Sequence, residues 1–147
     1  MCETETCALC IIGAGASGLN ALDAALDYLP DKSSVIVVDR GSSWGGHWNN
    51  QYEYLRLHQP YQFFTAGSQP WSMVKDRCHL ATRAEVLTHF ADCAERSAER
   101  ARVIPFFGYE YDGTHAIREG AVEVVRTGCN KCSSTRPIAL TDLRCCF

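Results

Sequence analysis

The sequence predicts an α/β domain, a parallel sheet with flanking helices, and three observations predict it. A short apolar run, Ala8 to Ile12, breaks off in a glycine-rich turn. A stretch of helical period follows at once. A second apolar run, Val35 to Val38, comes next and ends on an acid, Asp39. Both runs are too uniformly apolar to leave one face in water, so strand, helix and strand read as two buried parallel strands joined by a crossover.

The turn itself is Gly13-Ala14-Gly15-Ala16-Ser17-Gly18, a G-x-G-x-x-G placed between a strand and a helix. In that context each glycine has a physical task. Gly13 permits the sharp exit from the strand, Gly15 has no side chain to hold a pyrophosphate off the main chain, and Gly18 lets the helix pack closely. The N–H groups at the helix start, around Ala16 and Ser17, face the phosphates. Asp39 lies 21 residues beyond Gly18, where a carboxylate accepts hydrogen bonds from a ribose, with Arg40 beside it. The alternative is a glycine turn with no ligand; against it stands the backbone entropy that three glycines cost.

The chain has 147 residues, one domain's worth and enough to bury a core. Fourteen basic and 17 acidic residues give a net charge of −3, and no basic tract points to nucleic acid. No apolar run approaches the roughly 20 residues of a membrane span. Met1 to Cys7 carries two glutamates and no basic segment, unlike a secretory signal. A soluble, cytoplasmic protein is the expectation. Nine cysteines are many for that setting, but an odd count argues against a fully paired framework. Cys10 in a strand and Cys93 in a helix read as small apolar fillers.

The first helix is expected from Ser17 to Leu29, with Leu19, Leu22, Ala25, Leu26 and Leu29 on one stripe and Pro30 as its stop. Residues 41–69 lack any sustained period yet hold Trp44, Trp48, Tyr52, Tyr54, Tyr61, Phe63 and Phe64, the opposite of a solvating composition. Two readings stand: an ordered loop over a flat, partly apolar ligand, or a satellite core beneath a loop. Thr82-Arg83-Ala84-Glu85 has capping-box spacing and opens a second helix to about Arg100, with Val86, Leu87, Phe90, Ala91 and Ala94 on one face. Val103 to Phe107 reads as a strand at the sheet's edge, because Pro105 cannot donate to a ladder. Ala121 to Arg126 alternates like a strand of an antiparallel hairpin.

The domain therefore spans residues 1–126, and 127–147 form a cysteine-rich tail expected to be poorly ordered. Cys129, Cys132, Cys145 and Cys146 offer a zinc alternative, but the last two lack the spacing that turns both sulfurs to one ion, and no metal is expected.

The glycine turn, Asp39-Arg40, Trp44-Gly45-Gly46-His47-Trp48 and Leu55-Arg56-Leu57-His58-Gln59-Pro60, in this order, together resemble the flavin-containing monooxygenases and their Baeyer–Villiger relatives. The resemblance runs from about Leu9 to Gly108. It implies a partial Rossmann-like FAD-binding domain. Gly13, Gly15 and Gly18 would cradle the pyrophosphate and Asp39 the adenosine ribose. Gly46, His47 and Trp48 would pass beside the ribityl chain and flavin, with Leu57, His58 and Gln59 near the isoalloxazine. The residue types agree: a Gly-Gly step admits close approach, Trp48 offers an aromatic face, and His58 and Gln59 offer hydrogen bonds. Both His47 and His58 also read as ordinary surface or core histidines.

Members of that family reduce the flavin with NADPH and oxygenate a soft nucleophile or a carbonyl. Gly13 to Gly18 is the one G-x-G-x-x-G here, so the expectation is an FAD-binding portion of a longer monooxygenase, truncated before its NADPH domain. The alternatives are a catalytically incompetent dinucleotide-binding module and an NAD(P)-binding dehydrogenase domain in which Arg40 meets a 2′-phosphate. The catalytic residues and the small-molecule substrate are not legible. A partial parallel sheet leaves an open edge, which favours a homo-oligomer.

Overall fold

The computed structural model describes residues 4–111, 115–118, 121–124 and 139–141. Its centre is a three-stranded parallel sheet of β2 (Leu9–Ile12), β3 (Ser34–Asp39) and β4 (Arg102–Phe107), in the order β2-β3-β4. Leu9 pairs with Val35 and Ile12 with Val38, while Ser34 pairs with Arg102 and Asp39 with Phe107. Val35, Ile36 and Val37 are wholly buried, as the continuous apolar run requires of a central strand. Pro105 sits opposite Val37 on β4, which flanks the sheet as expected of a strand containing proline.

Helix α1 (Ala16–Leu26) crosses from β2 to β3. It buries Leu19, Leu22 and Leu26, each worth about 1.5–3 kcal/mol when fully withdrawn from water. It ends earlier than the expected Leu29, because Pro30, four residues past Leu26, has no N–H to give the Leu26 carbonyl. The Arg100 guanidinium donates to the Leu26 carbonyl at 3.0 Å and to the Asp27 carboxylate at 2.8 Å, closing the last turn from outside.

Helix α2 (Arg83–Arg100) begins on the expected capping box: Thr82 Oγ1 accepts from the Glu85 N–H at 3.2 Å, and Glu85 Oε2 accepts from the Thr82 N–H at 2.8 Å. The His79 ring lies 2.9 Å from the same oxygen. Burial works to raise the Glu85 pKa, but bonds from Thr82 and His79 outweigh it and the net shift is downward. The buried face of α2 is Val86, His89, Phe90, Cys93, Ala94 and Ser97. Ala91, expected on that face, is exposed.

Residues 41–82 are tied down by main-chain bonds. Leu57 N–H donates to the Ala81 carbonyl at 2.9 Å, Arg83 N–H to Leu55 at 2.9 Å and Tyr61 N–H to His79 at 3.0 Å. Short 3₁₀ turns cover Gly46–Asn50 and Tyr61–Phe63. Trp48, Leu57, Tyr61, Ala66 and Ala81 join Leu19, Val86, Phe90, Cys93 and Ala94 in a core of their own. Part of this stretch thus builds a core of its own, with Tyr52, Tyr54 and Phe63 left outside it.

β5 (His115–Arg118) and β6 (Ala121–Val124) form the antiparallel pair expected of this stretch. β1 (Thr4–Thr6) pairs in parallel with β7 (Ala139–Thr141). The rest of the cysteine-rich tail, with Cys129, Cys132, Cys145 and Cys146, lies outside the described residues. Among the described residues, no helix is long and apolar enough to cross a membrane.

Candidate functional site

The glycine turn follows β2 with its ladder intact, since Gly13 N–H still donates to the Val38 carbonyl at 2.7 Å. Gly13 then takes φ +108°, a conformation closed to most side chains, and the chain swings into α1. A Cβ on Gly18 would lie 1.9 Å from the Gly13 carbonyl oxygen, so the first turn of α1 rests directly on the turn that precedes it. No side chain caps that first turn, and no acidic residue occupies it. Ala16 is half-buried against the core, and Ser17 is exposed.

Asp39 faces the same turn. Its Oδ2 accepts from the Ala14 N–H at 2.7 Å and its Oδ1 from the Gly41 N–H at 2.6 Å. Charge-assisted bonds of this length are the stronger kind, and they fix the carboxylate across the carboxyl ends of β2 and β3. The Ala14 carbonyl is held too, accepting from the Gly45 N–H at 2.9 Å.

That bond announces a second feature. Gly46, at φ +53°, has its α-carbon against Gly15; a Cβ on Gly46 would lie 2.8 Å from the Gly15 α-carbon. The two glycine turns meet main chain to main chain. Sequence reasoning placed both motifs near one ligand but not against each other.

Beside Gly13 and Asp39 opens a cleft of about 190 Å³, lined by Ile12, Gly13, Val38, Asp39, Arg40, Tyr109, Glu110 and Tyr111. It lies outside the carboxyl ends of parallel strands, where open α/β sheets take their ligands. Arg40 reaches out to Glu110 at 4.0 Å, an exposed pair that holds little energy. Tyr109, Glu110 and Tyr111 were missed from sequence. Their signal was available: a third parallel strand, β4, delivers its exit to the same rim.

The remaining expected residues divide by depth. Trp48 (7% exposed) and Leu57 (4%) are core residues, with the Trp48 ring tilted against Phe64 at 5.9 Å. His47, 5.6 Å from the Trp48 ring, and His58 are exposed. The Gln59 side-chain amide donates to the Phe63 carbonyl at 3.1 Å. Gly13, Asp39 and Arg40 therefore share the cleft, Gly15 and Gly46 share the seam, and Trp48 and Leu57 support the segment from below.

Two buried polar groups brace this arrangement. Asp23, 6% exposed on α1, accepts from the Ser68 N–H at 2.8 Å, the Ser68 hydroxyl at 2.9 Å and the Gln69 amide at 3.1 Å. Burial works against its charge, but these bonds more than compensate, and its pKa is lowered. His89, 1% exposed, stacks on Trp71 at 4.1 Å and accepts from the Ala66 N–H through Nε2 at 3.3 Å. Burial, with the nearby Arg96 charge, pushes its pKa down to about 4, Asp92 opposing. Cys93 Sγ lies 3.7 Å from the ring, and burial lifts its pKa to about 11, which keeps it a thiol and a poor nucleophile.

No protein-family model matches the chain. An uncharacterised protein of Mycobacterium tuberculosis is 36% identical over 59 residues, 40% of this chain and 11% of its own length. Among solved structures, a flavin-containing monooxygenase from Stenotrophomonas maltophilia is similar over 84% of this chain and 34% of its own, at 21% identity and a TM-score of 0.65. A polycyclic ketone monooxygenase from Thermothelomyces thermophila is similar over 95% of this chain and 22% of its own, at 18% identity and a TM-score of 0.68. A bacillithiol disulfide reductase from Staphylococcus aureus is similar over 84% of this chain and 35% of its own, at 14% identity and a TM-score of 0.66. The chain thus has the α/β fold of these proteins and spans about a third or less of the length of each, and about a tenth of the curated relative.

Proposed function

We propose that this chain is the FAD-binding portion of an NADPH-dependent flavoprotein monooxygenase. One observation carries the reading: the Asp39 carboxylate bridges the glycine turn and the edge of the cleft at the ends of β2 and β3. Shared fold with flavin monooxygenases supports it, and so does the order of the sequence motifs.

The residues present fit the adenosine-diphosphate end of the cofactor. The uncapped start of α1 offers N–H groups to a diphosphate, and the glycine turn keeps side chains out of its way. Asp39 takes the ribose, next to the cleft that receives the base. Gly46, His47 and Trp48 border the ribityl and flavin, with Leu57, His58 and Gln59 beyond. FAD, when bound, accepts a hydride from NADPH and passes its electrons onward. This chain's residues hold and orient that group; the NADPH site and the substrate belong to the rest of the flavoprotein.

Purified protein is expected to be yellow, with the two visible bands of bound flavin, or to take up added FAD stoichiometrically. Asp39→Ala removes a charged hydrogen bond worth about 1.5–3 kcal/mol, so FAD affinity should fall on the order of 10–150-fold by fluorescence titration. Gly15→Val should abolish binding, since its side chain would stand where the diphosphate approaches the main chain. Undiminished affinity in both variants would move the site elsewhere. Oxidation of NADPH in air separates a working oxidoreductase from a module that binds FAD without turnover.

A further inference from the structure

We propose that Arg83 is a positioning residue for the cofactor, acting through the main chain of the Gly46–Asn50 turn without touching the ligand. The proposal rests on the flavin reading above. Arg83 Nε donates to the Trp48 carbonyl at 2.7 Å and Nη2 to the Asn49 carbonyl at 2.6 Å. These are the third and fourth carbonyls of the five-residue 3₁₀ turn whose first residue lies against Gly15. The opposite end is fastened by Gly45 N–H to Ala14 at 2.9 Å. The turn therefore hangs between two anchors, the glycine turn at one end and a guanidinium at the other.

The location of that guanidinium is informative. Arg83 is the first residue of α2, where the helix dipole disfavours a cation. Helix stability gives no reason for it to be there; two main-chain oxygens 34 and 35 residues earlier do. A planar fork is also the group that satisfies two separate carbonyls at once, which a lysine ammonium does poorly. With both carbonyls held, Gly46 is pressed to Gly15 and the edge of the cofactor site keeps its shape.

The test compares wild type, Arg83→Lys, Arg83→Met and Arg96→Met, using FAD titration, thermal melts and amide hydrogen exchange of the apoprotein. Arg96 is the matched comparison, because it reaches from the same helix to the Pro70 carbonyl at 2.9 Å and Ser72 Oγ at 3.2 Å, on another loop. Expected is a rise in Kd for FAD on the order of 10- to 100-fold in Arg83→Met, partial recovery in Arg83→Lys, and a change under about threefold in Arg96→Met. In the apoprotein, exchange at the Gly45 and Trp48 amides should quicken at least about tenfold in Arg83→Met alone. Equal effects of the Arg83 and Arg96 variants on Kd and exchange would reduce Arg83 to ordinary stabilisation and overturn the proposal. If wild type takes no FAD, the flavin reading falls, and the exchange comparison still decides whether Arg83 positions the turn. Should Arg83→Met not fold, Arg83→Lys carries the same comparison.

Discussion

Replacing Gly18 with alanine is expected to destabilise the protein by about 3 kcal/mol or more, the upper end of overpacking costs. The added methyl would stand 1.9 Å from the Gly13 carbonyl oxygen and 2.9 Å from its carbon, both main-chain atoms that cannot rotate away. Relief requires α1 to lift off β2, and that motion would uncover Ile11, Leu22 and Leu26 in the core between them. For a chain of this size the melting temperature should fall by about 10 °C. Ser17→Ala, one residue earlier on the exposed side, should be neutral within about 2 °C. A Gly18→Ala protein that melts with wild type would show that the helix does not sit where it is described.

Acidification from pH 6.5 to about 4 should cost the fold about 3 kcal/mol through one residue, His89. In the unfolded chain the imidazole takes up a proton as the pH drops below 6.5, whereas the buried ring resists until about 4. The unfolded state binds more protons throughout that window, so stability declines with falling pH. The geometry explains the resistance. Nε2 already accepts from the Ala66 N–H at 3.3 Å, so a proton placed there would face another donor. Asp23 and Glu85, whose pKa values are lowered, begin to lose their contributions only as the pH enters the ordinary carboxylate range, so the part of the window above about pH 5 belongs to His89. Urea melts at half-unit steps between pH 6.5 and about 5 should show the slope in wild type and a flat line in His89→Gln, which keeps an acceptor for Ala66. The same slope in both would assign the acid sensitivity to another group.

Much of this fold was legible because its signals are local. A glycine turn between an apolar run and a helical period, and an acid closing the next strand, are readable within 30 residues. Thr82 and Glu85 announce a helix start from three residues apart. What was illegible depends on partners distant in sequence. Nothing near Gly46 says that its neighbour is Gly15, and nothing near Leu26 says that Arg100 will cap its carbonyl. Buried polar residues were illegible for another reason. Asp23 shares a stripe with Leu19, Leu22 and Leu26, and His89 and Ser97 share one with Val86, Phe90 and Ala94. Spacing alone put them inside, but residue type argued for solvent, and the bonds that permit burial come from Ser68, Gln69 and Ala66. For the site, the motifs pointed to Asp39 and the first glycines, while Arg83 was visible only as a member of a capping sequence.

The meeting of Gly15 with Gly46 has a mechanical consequence. Two stretches of bare backbone in contact have no side chains to flex between them, so a displacement of one is expected to reach the other. A ligand that settles against the first loop would draw the aromatic segment along, from Trp44 through Trp48, as a single body. Fluorescence from Trp44 should therefore register occupancy, and a Trp48→Phe variant, which removes the indole nearer the cofactor, should keep that signal.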